Sequence, residues 1–327
     1  MKVSILITTY RQAQTVLDAV ESALAQDHPD LEVVVSDDAS DDETQELLVR
    51  HAGDPRLRVR RNEHNLGRVA NYRRLLNDLA TGDWALALDG DDYLVNRGYV
   101  SNAMKLVTNH PELVLVFGRI QKRAENTNVL REPLKNRSLT GGVFNGNDLF
   151  LRLPLGEVGF YHNACIFDRR EAIRHDFYRS EIVSSDWESL HRLILGRQVG
   201  FVDEVASVWR RNSSGVTMQA CMADHCDNLE AITAPYERAK SLAQIGAPEL
   251  DGWLRSMLYQ EGHRVLKRVR GASPSDILGY LREIGRLRPT SAARLAVDPV
   301  VVYSLLRAVF SPSNRSPGAA SSEALPN

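Results

Sequence analysis

Asp89, Asp91 and Asp92 fall within four residues around Gly90, directly after the apolar run Trp84 to Leu88. Three carboxylates so close repel one another unless a cation joins them. Mg²⁺ and Mn²⁺ favour hard oxygen ligands, retained waters and a diphosphate. The three together are therefore an expected cation site. A solvated Asp-Gly turn is the plainer alternative. It is set aside because a second acidic pair, Asp37-Asp38, follows another apolar run, Leu31 to Val35. A carboxylate in that position can accept a hydrogen bond from a base N–H or a ribose hydroxyl. Thr8 and Tyr10, beyond the run that begins at Val3, would add a hydroxyl and an aromatic face to the same pocket.

Elements that position these residues alternate in type. Val3 to Thr8, Leu31 to Val35, Leu57 to Val59, Trp84 to Leu88 and Leu113 to Phe117 read as strands. Between them, Val16, Leu17, Val20 and Leu24, then Val69, Tyr72, Leu76 and Leu79, then Val100, Ala103, Met104 and Val107, recur at helical spacing. Ser40 with Glu43, and Ser185 with Glu188, have the form of capping boxes. Alternation with continuous apolar strands predicts a mostly parallel sheet covered on both faces. Ligands of such sheets lie beyond the carboxyl ends of the strands, where all three polar clusters fall.

Less regularity marks the middle, from about Arg119 to Asn212. It reads as a hairpin around Glu125 to Asn128, a bend at Gly141-Gly142, and a short strand at Cys165 to Phe167. A helix at Ser185 to Leu195 and two closing strands, Val199 to Val202 and Val205 to Trp209, complete it. From Gln219 the pattern is helical and charged. The expected organisation is one domain at 1–215, made of two halves, 1–118 and 119–215. A helical region at 216–310 follows, and then a Ser/Pro/Ala-rich tail at 311–327 expected to be disordered.

The chain has 327 residues, with 40 Lys and Arg against 42 Asp and Glu, for a net charge of −2. That balance argues against a nucleic-acid partner, which needs a basic surface. Three cysteines cannot build a disulfide framework, so a reducing, cytoplasmic setting is expected. Met1-Lys2 runs straight into a strand, without a signal-peptide pattern. No apolar stretch approaches the roughly 20 residues that span a bilayer. Val300 to Phe310, interrupted by Arg307, places Val300, Val301, Ser304, Leu305 and Ala308 near one helical face. That face is expected to dock either on the protein or, peripherally, on the inner surface of the cell membrane.

The ordered motifs Val3-Ser4-Ile5-Leu6-Ile7-Thr8-Thr9-Tyr10, Val33 to Asp42, Asn65-Leu66-Gly67 with Asn71, Gly82-Asp83 and Leu88-Asp89-Gly90-Asp91-Asp92 resemble the start of family 2 glycosyltransferases. Ser184-Ser185-Asp186-Trp187 is similar to the segment in which that family carries its catalytic base. The resemblance implies a GT-A (nucleotide-diphospho-sugar transferase) fold of the α/β class, its mixed, mostly parallel sheet flanked by helices, with a C-terminal helical extension. It implies metal-dependent, inverting transfer from a nucleotide-sugar donor to a hydroxyl of a glycan or lipid-linked acceptor, in surface polysaccharide or glycolipid assembly. By the same resemblance Thr8, Tyr10 and Asp38 line the nucleoside, Asp91 and Asp92 meet ribose, metal and diphosphate, and Asp89 supports their turn. Arg68 lies near the donor phosphates, and Asp186 is the base. Ser185 departs from the family in standing where a second acid is common. The Gln-x-x-Arg-Trp signature of processive enzymes is absent, which implies single addition.

A sugar-phosphate nucleotidyltransferase should carry a Gly-rich loop after the first strand, yet Lys2 to Val20 has no glycine. A non-catalytic nucleotide-sugar-binding protein is disfavoured by the intact acidic cluster. Cys221, His225 and Cys226 lack a second ligand pair for zinc. His162 and Asn163 either reach the donor sugar or acceptor, or pack at a strand entrance. Arg210 and Arg211, in a loop with Asn212 to Gly215, either close over the diphosphate or form a solvated turn.

Overall fold

The structure is a computed structural model that describes residues 1–51, 53–124, 127, 129–212, 215–268 and 272–310. The expected tail at 311–327 and the residues Glu125, Asn126, Asn128, Ser213 and Ser214 lie outside the described residues.

β1 (Val3–Thr9), β2 (Leu31–Asp37), β3 (Leu57–Arg61) and β4 (Trp84–Asp89) run parallel in the order β3-β2-β1-β4. Every residue of β1 and β2 is buried, as strands covered on both faces require. Alternation across β1 sends Ile5 and Ile7 into the core shared with α1 (Val16–Leu24), whereas Leu6 points into the opposite core. α2 (Thr44–Arg50) precedes β3, and α3 (Arg68–Arg74) precedes β4, continuing as a π-helical turn from Leu75 to Leu79.

Beyond β4 come β5 (Tyr93–Leu94), α4 (Tyr99–Asn109), β6 (Leu113–Ala124), β7 (Leu130–Arg131), β8 (Gly142–Asn145), α5 (Gly146–Arg152), β9 (Cys165–Asp168), α6 (Arg169–Arg174), α7 (Ser185–Ile194) and β10 (Gln198–Arg211). They complete a ten-stranded sheet in the order β3-β2-β1-β4-β9-β6-β10-β5, with β7 on β6 and β8 on β10. β9 is antiparallel to both β4 and β6, and β10 is parallel to β6. The two expected closing strands are one strand, β10, because register shifts between Phe201 and Val205 and between Val205 and Ser207 absorb its polar middle. β6 likewise runs past the expected Phe117 and pairs with β7, Lys122 facing Arg131, around the expected hairpin.

Neither expected capping box forms. Ser40 Oγ donates to Asp37 and accepts the Arg11 N–H, and α2 begins later, at Thr44. Ser185 is already inside α7, while Glu188 binds Arg192 and Arg179. In both cases the groups that would have made the cap are taken by other partners.

The C-terminal helices are α8 (Val216–Gln219), α9 (Met222–Asp227), α10 (Glu230–Leu242), α11 (Ala247–Arg268), α12 (Pro274–Leu287), α13 (Pro289–Ala296) and α14 (Pro299–Phe310). One continuous core joins them to the sheet. Trp253 of α11 stacks on Phe150 of α5 at 4.1 Å, and its Nε1–H donates to the Phe150 carbonyl at 2.8 Å. α14 turns Val301, Ser304, Leu305 and Ala308 inward, with Ser304 Oγ donating to the Leu266 carbonyl at 2.9 Å. Of the two docking surfaces expected for that face, it takes the protein. Val302, Tyr303 and Leu306 are exposed instead. No helix among the described residues is long and apolar enough to cross a membrane.

Candidate active site

β4 delivers Asp89 to the carboxyl edge of the sheet, and Gly90 folds the chain back against β1. Its N–H donates to the Thr8 carbonyl at 2.9 Å. A Cβ at Gly90 would lie 2.5 Å from Gln12 Oε1 and 3.0 Å from the Thr8 carbonyl oxygen, so a larger residue would have to push Gln12 aside and ease the strand apart.

Each carboxylate of the turn has its own partners. Asp89 accepts from Tyr72 Oη at 2.9 Å and is bonded to His162 Nε2 at 3.0 Å. Asp92 is 1% exposed and accepts from Asn163 Nδ2 and from the Arg210 N–H, both at 2.8 Å. Asp91 accepts from Asn212 Nδ2 at 2.7 Å, and Arg210 Nη1 donates to its carbonyl at 3.1 Å. Arg210 also pairs with Asp18 and lies 4.6 Å over the Tyr93 ring. β9 runs antiparallel between β4 and β6, so its entrance lies at the edge where those strands end. His162 and Asn163 are thereby brought onto the acidic turn.

Electrostatics separate the three acids. Burial opposes charge on Asp89, but the His162 and Arg68 cations and the Tyr72 hydrogen bond outweigh it and hold its pKa below the ordinary carboxylate value. Burial, reinforced by repulsion from Asp89, raises Asp91 to about 6. Asp92 is driven well above the ordinary value by deeper burial and by both neighbouring carboxylates. His162 is raised, because Asp89 more than offsets the burial that disfavours its charge. A turn that resists its own second and third charges is suited to a cation. One ligand atom each from Asp89, Asp92 and His162 lies within 4.8 Å of the others. Two carboxylates and an imidazole are a set that can hold a divalent cation.

Arg68 links this turn to α7. It opens α3, and its Nη2 donates to the Val183 carbonyl at 2.9 Å and reaches Ser185 Oγ at 3.5 Å. Burial lowers its pKa, yet the nearby Asp89 and Asp186 carboxylates raise it overall. Asp186 also acts on His162. Asp89, Asp91, Asp92, Arg68 and Asp186 thus share one edge of the sheet.

Asp38, Thr8 and Tyr10 flank that group. Asp38 is 2% exposed and accepts from Asn62 Nδ2 at 2.7 Å, the Leu66 N–H at 2.8 Å and the Gly67 N–H at 2.9 Å. It anchors the loop from Asn62 to Gly67. Thr8 is buried at the end of β1, and Tyr10 is exposed with Arg11 over its ring at 5.0 Å. The sequence pattern marks Tyr72 only as a core position, and it leaves His162 and Asn163 between donor or acceptor contact and packing; both Tyr72 and His162 bind Asp89. A polar His-Asn pair at a strand entrance was the available signal. Cys221, His225 and Cys226 make no metal group among the described residues.

Residues 4–177 match the family model of Glycosyl transferase family 2. The chain belongs to this family. The glycosyltransferase is 26% identical, over 288 residues, to an uncharacterized protein of Mycobacterium tuberculosis, an alignment covering 86% of this chain and 75% of that one. Its GT-A fold is similar to that of Staphylococcus aureus TarS 1-349 in complex with UDP-GlcNAc, with a TM-score of 0.72, 17% identity, and coverage of 94% and 88% of the two chains. A mannosyltransferase from Pyrobaculum calidifontis in complex with GDP-Man and Mn²⁺ is also similar, with a TM-score of 0.54, 18% identity, and coverage of 94% and 87%.

Proposed function

We propose that the transferase moves a sugar, with inversion and with Mn²⁺ or Mg²⁺ bound, from a UDP- or dTDP-sugar to a hydroxyl of a glycan or lipid-linked acceptor. The observation that carries this reading is the shared edge on which Arg68 stands between the acidic turn and Asp186. Residues 1–118 would hold the donor and residues 119–215 the acceptor, in the cytoplasm and against the inner face of the membrane when the acceptor is lipid-linked.

Asp38 has up to four acceptor positions on its carboxylate. Three are taken by the Asn62 to Gly67 loop, leaving one for a pyrimidine N3–H, with Thr8 and Tyr10 along the nucleoside. The carboxylates of the turn, Asp91 and Asp92 with Asp89 and His162 beside them, would hold the cation. When bound, it would offset charge on the departing diphosphate. Arg68 would add a fixed positive charge on the same side. Asp186, across Arg68 from the turn, would take the proton of the acceptor hydroxyl as that oxygen attacks the anomeric carbon.

Thermal shift with nucleoside diphosphates tests the donor half, because ligands that bind only the folded state raise its melting temperature. UDP or dTDP should stabilise more than GDP, and mainly with Mn²⁺ or Mg²⁺ present. Equal shifts for all nucleotides, unaffected by EDTA, would overturn the donor and metal assignments. Steady turnover of a UDP-sugar, as hydrolysis or as transfer, tests catalysis itself.

A further inference from the structure

A basic cluster lies on the other side of Trp187, the residue that follows Asp186, and no step above uses it. It gathers Lys122 from β6, Lys135 from the segment between β7 and β8, Arg211 from the end of β10, and Arg264 and Arg268 from α11. Lys122 Nζ lies 4.6 Å from the centre of the Trp209 ring and 5.3 Å from that of Tyr161. Lys135 Nζ and the Arg264 guanidinium stand 5.7 Å and 6.0 Å from the Trp187 ring. β6 and β10 pair Lys122 with Trp209 and Ala124 with Arg211. Alternation along a strand therefore keeps Lys122, Trp209 and Arg211 on one face of the sheet.

The cluster is short of negative charge. Among the described residues, Lys122, Lys135, Arg211 and Arg268 have no ion-pair partner, and the carboxylate facing them, Glu261, is already bound by Arg264. Burial and then mutual repulsion bring Lys122 down to about 8 and lower Lys135 and Arg268 as well. Room is made for Lys135 by Gly159, where a Cβ would fall 2.6 Å from the lysine Cδ. Cations drawn from four parts of the chain and held against their own repulsion favour an anion among them.

We propose that these side chains form a phosphate subsite of the acceptor, holding a phosphodiester or diphosphate of the acceptor molecule while its hydroxyl reaches Asp186. Lysine and arginine suit such a group through charge-assisted hydrogen bonds. The Trp187, Trp209 and Tyr161 rings offer apolar faces to the carbons on either side of the phosphate. The inference rests on the glycosyl-transfer reading of the neighbouring site, and it specifies what that reading leaves open: the acceptor is anionic.

The test uses the full chain and inorganic pyrophosphate in EDTA, which denies the metal-dependent donor site its cation. Calorimetry, with tryptophan fluorescence as the second readout, should show saturable binding. The Lys122→Gln/Lys135→Gln double variant should weaken it by roughly tenfold or more, the scale of lost hydrogen bonds to charged groups. Gly159→Ala, which displaces Lys135 without removing its charge, should weaken it less. If the double variant melts early, Arg268→Gln carries the same measurement. A poly(ribitol phosphate) oligomer and phosphatidylcholine vesicles doped with a polyprenyl diphosphate distinguish the two sources of the phosphate; dependence of either on the lysines supports the subsite. Pyrophosphate affinity equal in wild type and variants would overturn it. Donor hydrolysis by the wild type, which needs no acceptor, tests the glycosyl-transfer reading separately.

Discussion

Asp186→Asn separates a proton acceptor from a scaffold residue. Among the described residues no hydrogen bond or ion pair reaches the Asp186 carboxylate. Its charge acts through space on Arg68 and His162 and sits in the first turn of α7. Asparagine keeps the size and an acceptor oxygen, so the stability at risk is the helix-dipole contribution of about 0.3–1 kcal/mol. For a chain of this length that is a melting shift of at most ~4 °C. Transfer should fall by roughly 10²- to 10⁴-fold, the loss expected for a positioned base, or about 3–5 kcal/mol of barrier. Donor affinity should hold or tighten slightly, because Arg68 loses one of the two carboxylates competing for its charge. Calorimetry with a UDP-sugar and Mn²⁺, transfer at saturating donor, and thermal melts measure the three quantities. Transfer within about threefold of wild type would remove Asp186 from the proton step. A fall in donor affinity matching the fall in transfer would show instead that Asp186 works by orienting Arg68.

Asp92→Asn should abolish the Mn²⁺-dependent thermal shift given by UDP; an undiminished shift would locate the cation elsewhere. Gly90→Ala drives a Cβ against Gln12 and the Thr8 carbonyl and should cost roughly 1–3 kcal/mol in urea unfolding, with loss of donor binding; a wild-type midpoint would refute the close approach. Glu32 is buried, accepts from Ser4, Thr81 and Lys2, and pairs with Arg58; these contacts outweigh burial and lower its pKa from 4.5 to about 2. A depressed carboxylate stabilises the fold above its unfolded pKa, so wild type should lose up to roughly 3 kcal/mol as pH falls from about 4.5 to 2. Glu32→Gln should flatten that part of the profile, and parallel profiles would refute the linkage.

Much of the donor side was legible locally. Continuous apolar runs at Val3, Leu31 and Trp84 demand cover on both faces, so they become the inner strands β1, β2 and β4. Thr8, Asp38 and the Asp89 turn then fall at their carboxyl ends by continuity of the chain. Local pattern failed where a distant group offered a better partner. Ser40 accepts the Arg11 N–H from across the sheet, and Ser185 lies within reach of Arg68. The polar middle of β10 read as a break because a bulge has no signature in alternation alone. Asn163 meets Asp92 across 71 residues of sequence. That contact exists because β9 enters antiparallel between β4 and β6, a pairing that neither strand's own composition specifies. Lys122, Lys135, Arg211, Arg264 and Arg268 look like ordinary surface charges along the chain. Only the tertiary packing of β6, β10, the segment between β7 and β8, and α11 brings them together beside Trp187 and Trp209, since like charges converge when contacts elsewhere outweigh their repulsion.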